Sequence, residues 1–384
     1  MSHFNIPDHV FVGRDALSEA APLFKTYGSR AFIVTGPHVA RSPMLAELKK
    51  ALEKQEIAYL VFDQITGEPT DTMISAGVEE FIKSHSSFII GIGGGSSLDS
   101  AKAIALMSRS SEPISSYMGV DIKKELPAIV AIPTTSGTGS EDTKFTVITD
   151  SQTDIKMLLK GDCLIPDIAI LDYEYTMDMP KSVTAATGLD ALTHAVEAYT
   201  SKKASPLTDT YAISAVKRIL KYLPIAYANG RDKTAREQMS LAAYEAGVCI
   251  NNSSVTIVHG MSRPIGALFH VSHGKSNAML LADCLGFALD GAYDRFAQLS
   301  IACGLAAADE PQKEAAEKFL AALSDIVKVC EIPTLKEDGI DPDAFAAAIP
   351  KMAADAIASG SPANTRKPIS EADCIAIYKK VIAH

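Results

Sequence analysis

At 384 residues, with 47% apolar and 21% charged residues and no tryptophan, the chain has the composition of a well-packed globule with one large or two medium cores, not of a disordered or fibrous chain. Its net charge of −10 excludes the broad basic footprint that a nucleic-acid partner requires. No apolar run reaches about 18 residues and no charged-then-apolar leader is seen, so neither a membrane span nor a secretory signal is expected, and the scattered Cys163, Cys249, Cys284, Cys303, Cys330 and Cys374 read as reduced core residues of a cytoplasmic protein.

In chain order, short β-branched runs alternate with helical patterns through the first half. "AFIVT" (31–35), "AYLVF" (58–62), "SFIIGI" (87–92), "AIVAI" (128–132) and "IAIL" (168–171) are strand candidates. "PMLAELKKALEKQ" and "MISAGVEEFIKS" lie between them with helical spacing, and such alternation implies a parallel, helix-flanked sheet. Beyond Pro180 the segments become long, Ala- and Leu-rich and helical, including "SVTAATGLDALTHAVEAY", "TDTYAISAVKRILKYL", "KTAREQMSLAAYEAGVCI" and "EAAEKFLAALSDIVKVC". The last, "SEADCIAIYKKVIAH", opens with Ser370 and Asp373 in capping-box positions. The expected architecture is an α/β domain with a Rossmann-like parallel sheet over residues 1–180, followed by an all-α domain over 181–384.

"SFIIGIGGGSSLDSAKAIALM" carries the clearest local signal. An apolar strand runs into Gly93, Gly94, Gly95 and Ser96, and a helix begins near Ser97. Consecutive glycines turn sharply and admit a ligand without an intervening Cβ, while the helix N-terminus offers N–H groups to an anion. This is the form of a pyrophosphate cradle, although Ser96 at the sixth position departs from G-x-G-x-x-G. Asp99 and Lys102 follow on the helix, where they could be ordinary surface residues. A second loop, "AIPTTSGTGSED", offers Thr134, Thr135 and Thr138 with backbone donors suited to phosphate and ribose.

In "GLDALTHAVEAYTS", Asp190 and His194 stand four residues apart and therefore share a helix face. On spacing alone they are either a helix-surface pair or half of a metal site. His259 and His273 follow in "VHGMSRPIGALFHVSHG"; one straight helix would hold them about 21 Å apart, so a bend near Pro264, Gly266 or "HVSHG" is needed to bring them together. One carboxylate and three imidazoles, without a thiolate, would suit iron(II) or zinc and leave a net positive Lewis acid.

"GGGSSLDSAK", "PTTSGTGSE", "ATGLDALTHAVEAY" and "HGMSRPIGALFHVSHG" occur in this order, and together they resemble the iron-containing (group III) alcohol dehydrogenases along essentially the whole chain. The resemblance implies metal ligands at Asp190, His194, His259 and His273, a pyrophosphate loop at Gly93 to Ser96 with Asp99 beside it, a second cofactor loop at Thr134–Thr138 and a cofactor-contacting Lys156. It implies a divalent ion, iron(II) before zinc, in a cleft shared with a nicotinamide, and a cytoplasmic homodimer or higher homo-oligomer. The expected reaction is hydride transfer between NAD(P) and a small primary alcohol or aldehyde. The same two-domain plan occurs in dehydroquinate synthase, so a metal-dependent lyase is the alternative, and a non-catalytic nucleotide-binding protein a third reading.

Two positions depart from the family pattern. Where many members carry a second histidine four residues after the third ligand, this chain has Arg263, leaving His270 as the nearby histidine for proton exchange. Arg263 could instead hold an anionic substrate group or a cofactor phosphate. Where NAD-preferring relatives often carry an aspartate after the strand at "AFIVT", this chain has Gly36, which favours NADP over NAD with His38 or Arg41 near the 2′-phosphate.

Overall fold

The structure, a computed structural model, describes residues 3–153 and 155–383; residues 1–2 and 384, the outer ends of the two expected domains, lie outside the described residues. It divides into two compact units, Met1–Met179 and Pro180–His384.

Among the described residues the first unit contains β1 (His9–Val12), α1 (Ala16–Ala20), β2 (Arg30–Val34), α2 (Pro37–Ala40), α3 (Pro43–Lys54), β3 (Ala58–Phe62), α4 (Asp71–Lys83), β4 (Phe88–Gly93), α5 (Gly95–Met107), β5 (Ile129–Pro133), β6 (Phe145–Thr149), β7 (Lys156–Lys160) and β8 (Ile168–Leu171). Six strands form one parallel sheet in the order β1-β8-β5-β4-β2-β3. The period-two alternation of a strand sends successive side chains to opposite faces. Ala31 and Ile33 of β2, with Ile90 and Ile92 of β4, pack against α1 and α3, whereas Phe32 and Val34, with Ile89, pack against α4 and α5. Both faces are thus covered, which is why these strands read as continuous apolar runs. Each fully buried Ile, Val or Phe contributes roughly 1.5–3 kcal/mol.

Every expected strand is present. Two features were not expected: the edge strand β1, and an antiparallel hairpin of β6 and β7. Strand β1 is only four residues long with Val12 exposed, so no apolar alternation marks it. In the hairpin every second residue is buried, but lysines close both ends of β7 and dilute the signal.

The second unit packs α6 (Lys181–Thr200), α7 (Pro206–Ala228), α8 (Lys233–Asn252), α9 (Ile257–Phe269), α10 (His273–Ala288), α11 (Tyr293–Ala302), α12 (Gln312–Val329), α13 (Pro342–Ala358) and α14 (Glu371–Ile382) around one apolar core. From Gly188 to Thr200, α6 is buried on every side, the mark of a central helix. The capping box of α14 is formed: the Ser370 N–H donates to Asp373 Oδ2 at 2.8 Å, and the Asp373 N–H donates to Ser370 Oγ at 3.2 Å.

The bend between His259 and His273 falls in "HVSHG", one of the expected positions, and not at Pro264 or Gly266. Helix α9 continues through Pro264, because burial along most of its length holds it. It stops at His270, whose φ of 56° is left-handed, and α10 restarts at His273. Among the described residues, no helix is long and apolar enough to cross a membrane.

Candidate functional site

In the first unit, the loops leaving β4 and β5 meet at the carboxyl end of two adjacent strands, the place where open α/β sheets bind ligands. The Thr134 N–H donates to the Gly93 carbonyl at 2.9 Å. A Cβ on Gly95 would stand 2.8 Å from Thr138 Cγ2, and one on Gly93, whose φ is +150°, would stand 2.5 Å from Ser97 Oγ. Glycine is therefore favoured at both positions, and the start of α5 presents its backbone without Cβ cover at Gly94 and Gly95. The structure thus gathers Gly93, Gly94, Gly95 and Ser96 with Thr134, Thr135 and Thr138. Gly36 follows β2 on the other side of β4.

Two of the expected cofactor residues have other partners. Asp99 accepts from Ser140 Oγ at 2.6 Å and from the Val147 N–H at 2.9 Å. Lys156 pairs with Glu68 at 2.7 Å. Lys102 corrects the surface expectation: it is fully buried, donating to the carbonyls of Thr143 at 2.6 Å and Phe145 at 2.9 Å. Burial pushes its pKa down to about 8 against the pull of Asp99, Asp142 and Glu141. Glu141, also buried, is pushed up to about 7, with its own backbone N–H and Lys102 drawing it back.

In the second unit, one ligand-type atom each from Asp190, His194, His259 and His273 lies within 4.8 Å of the others. Asp190 and His194 come from α6, His259 from the first turn of α9, and His273 from the start of α10. Asp190 Oδ1 lies 3.9, 3.6 and 3.8 Å from the Nε2 atoms of His194, His259 and His273. An ion about 2.1 Å from four tetrahedral donors would hold them about 3.4 Å apart, so this set needs only slight closure to fit one. Burial opposes ionisation of Asp190, but the surrounding imidazoles outweigh it and hold its carboxyl well below the usual range. Desolvation first, and then His259, His194 and Arg263, push the partly exposed His273 ring down despite Asp190, which favours a neutral ring with one nitrogen lone pair free.

Two further side chains line the cluster and were not singled out from sequence. Asn277 Nδ2 lies 2.7 Å from Asp190 Oδ1, 3.1 Å from His259 Nε2 and 3.2 Å from His273 Nε2. Glu197 Oε2 lies 2.5 Å from His259 Nδ1. The helical period carried the signal for both, since Glu197 is i+3 from His194 and Asn277 is i+4 from His273. Arg263, one turn beyond His259, donates from Nη1 to Ser361 Oγ at 3.0 Å. His270 stands exposed at the end of α9, outside the cluster.

Comparison with known proteins agrees with this geometry. Residues 7–173 match the iron-containing alcohol dehydrogenase family, and residues 184–382 match the C-terminal part of the Fe-containing alcohol dehydrogenase family. The chain is 37% identical to the NAD-dependent methanol dehydrogenase of Bacillus methanolicus, over 89% of this chain and 92% of that protein. It is 35% identical to alcohol dehydrogenase 4 of Saccharomyces cerevisiae, over 89% of each chain. The solved structure of a 1,3-propanediol oxidoreductase superposes with a TM-score of 0.95 at 31% identity, covering 99% of this chain and 100% of that one. With both units matched and the donor cluster in place, the chain belongs to the iron-containing alcohol dehydrogenase family.

Proposed function

We propose that this metal-dependent alcohol dehydrogenase transfers hydride reversibly between a nicotinamide dinucleotide and a small primary alcohol or its aldehyde, with one divalent ion held by Asp190, His194, His259 and His273. The convergence of these four side chains from three helices carries the reading. When bound, the ion supplies Lewis acidity to the substrate oxygen, which stabilises charge on that oxygen without a strong protein base. Gly93–Ser96 and Thr134–Thr138 would hold the dinucleotide, which would supply the redox chemistry.

The residues of the chain bind and orient. Backbone N–H groups at the start of α5 face the pyrophosphate, and the helix dipole adds to their pull. Asp190 brings the single negative charge of the ligand set, leaving the loaded site net positive. Asn277 donates to Asp190 Oδ1 and so fixes the carboxylate's orientation. Arg263 places a permanent cation one helical turn from His259 and suits an anionic group of substrate or cofactor. His270, exposed to water, exchanges the proton released in alcohol oxidation.

Iron(II) is the proposed ion, with zinc the competitor that a three-imidazole, one-carboxylate set also accepts. NADP is the proposed cofactor of preference, supported by the missing carboxylate at Gly36 and by His38 and Arg41 in the hollow beyond β2, although Asp178 also lines it. A cytoplasmic homo-oligomer completes the reading, to be measured by sedimentation. The deciding experiment reconstitutes the protein separately with iron(II) and zinc and follows reduced nicotinamide absorbance with short aldehydes. Steady aldehyde-dependent loss is expected, and His259→Ala should lose bound metal and activity together. A metal-free His259→Ala protein of full activity overturns the assignment.

A further inference from the structure

Glu197 stands three residues beyond His194 and seven beyond Asp190, so α6 carries all three on one face. Its side chain is fully buried, and both of its oxygens are engaged by the beginning of α9. Oε1 accepts from the Thr256 hydroxyl at 2.7 Å and from the Val258 N–H at 2.6 Å. Oε2 lies 2.5 Å from His259 Nδ1. Thr256, the N-cap of α9, makes no side-chain cap of its own, so Glu197 supplies from α6 an acceptor that the helix start needs.

A carboxylate only accepts hydrogen bonds, so the ring atom it meets carries a proton on Nδ1. In the neutral ring His259 Nε2 then bears the lone pair, and it faces the donor cluster. Asn277 supports this orientation independently. Its amide atom 2.7 Å from Asp190 Oδ1 must be the nitrogen, because an oxygen there would oppose two acceptors. That same NH2 group reaches His259 Nε2 at 3.1 Å, as a donor meeting an acceptor.

We propose that Glu197 is a positioning residue that locks His259 in the Nδ1-protonated tautomer, turning its Nε2 lone pair to a metal ion, while it anchors the helix start that carries the ring. The proposal rests on the metal-site reading above. It separates sharply from a purely structural role through Glu197→Gln. The amide keeps the shape, and its oxygen can still accept from Thr256 and Val258. Its NH2 group must then face His259 Nδ1 and donate to it, which drives the ring proton onto Nε2 and blocks the ligand position. A helix-capping role alone predicts that Gln is harmless; the tautomer lock predicts that Gln is severe.

The measurement is zinc affinity, by competition with a chromophoric chelator, on wild type and Glu197→Gln, alongside the melting temperature of each metal-free protein. Orienting partners of metal-ligating histidines are typically worth about 10- to 100-fold in affinity. A loss of at least that size in E197Q, with the metal-free melting temperature nearly unchanged, is expected. Zinc binding by E197Q as tight as by wild type overturns this proposal alone. A wild type that takes up no zinc overturns the metal reading, and this proposal with it. Should E197Q fail to fold, 15N chemical shifts of the histidine rings in metal-free wild type decide: His259 protonated on Nδ1 supports the lock, and protonated on Nε2 overturns it.

Discussion

The ammonium of Lys102 donates to the Thr143 carbonyl at 2.6 Å, tying the helix behind the glycine loop to the chain that leaves the second loop. Asp99, one turn earlier, makes a second tie through Ser140 and Val147. The two loops are thereby held at one spacing by a fully buried lysine and a partly buried aspartate. Lys102→Met keeps the length but leaves the Thr143 and Phe145 carbonyls unsatisfied and the nearby carboxyls uncompensated. Removing one partner of a buried charge cluster costs about 3–5 kcal/mol. A clear fall in melting temperature is expected, with weaker dinucleotide binding by fluorescence titration; unchanged values in both would show that the tie is dispensable.

The pH dependence of stability isolates Glu141. Its folded pKa is raised to about 7 from an ordinary 4.5, so the folded protein holds this proton more tightly than the unfolded chain. Its favourable contribution is full below about 4.5 and is lost as pH rises through about 7. Glu141→Gln removes that loss. The melting temperature of the variant relative to wild type should climb between these limits and level off above, by no more than about 3 kcal/mol in stability. A difference independent of pH contradicts the raised pKa.

The strand-loop-helix at 87–107 was legible because a buried parallel strand leaves a continuous apolar run and a glycine triplet ends it. The pair Asp190 and His194 was legible because the helical period is local. Joining it to His259 and His273 was not, since the packing of α6 against α9 and α10 is written in no spacing. Of the expected bend positions, "HVSHG" holds the turn between α9 and α10, while Pro264 and Gly266, stronger helix breakers in sequence, leave α9 unbroken because tertiary burial carries it past both. Lys102 was misjudged for a related reason. A lysine is rarely buried, and its acceptors are backbone carbonyls some 41 residues away that no side-chain pattern announces.

Gly95 tests the cradle directly. A methyl group there would press on Thr138 Cγ2 at 2.8 Å and push the two loops apart. Gly95→Ala should raise KM for the dinucleotide about tenfold or more, a change of ~1.4 kcal/mol in binding. Bound metal should stay at the wild-type level, because the ligand cluster lies wholly in the second unit. An unaltered KM places the pyrophosphate elsewhere.

Cofactor choice is better tested at Arg41 than at Gly36. A Cβ on Gly36 would come 2.8 Å from the Ile65 carbonyl oxygen, so Gly36→Asp disturbs the backbone as well as adding charge. Arg41 is exposed at the end of α2 and lines the same hollow as His38. Arg41→Ala should lower kcat/KM with NADP by about tenfold or more and leave NAD little changed, the loss typical of a charge-assisted hydrogen bond. Equal effects on the two cofactors would count against a 2′-phosphate site.

Metal binding should also be visible as stability. The four donors join α6, α9 and α10, and an ion that meets all of them exists only in the folded unit. Zinc at a thousandfold above its Kd should therefore stabilise the chelator-treated protein by about 4 kcal/mol, read as a rise in melting temperature. Asp190→Asn preserves the shape of the cluster but removes its single negative charge, leaving only neutral ligands for a doubly charged ion. The stabilisation should shrink sharply in that variant while its metal-free melting curve stays cooperative. A zinc-induced rise as large in Asp190→Asn as in wild type would mean that the ion binds outside this cluster.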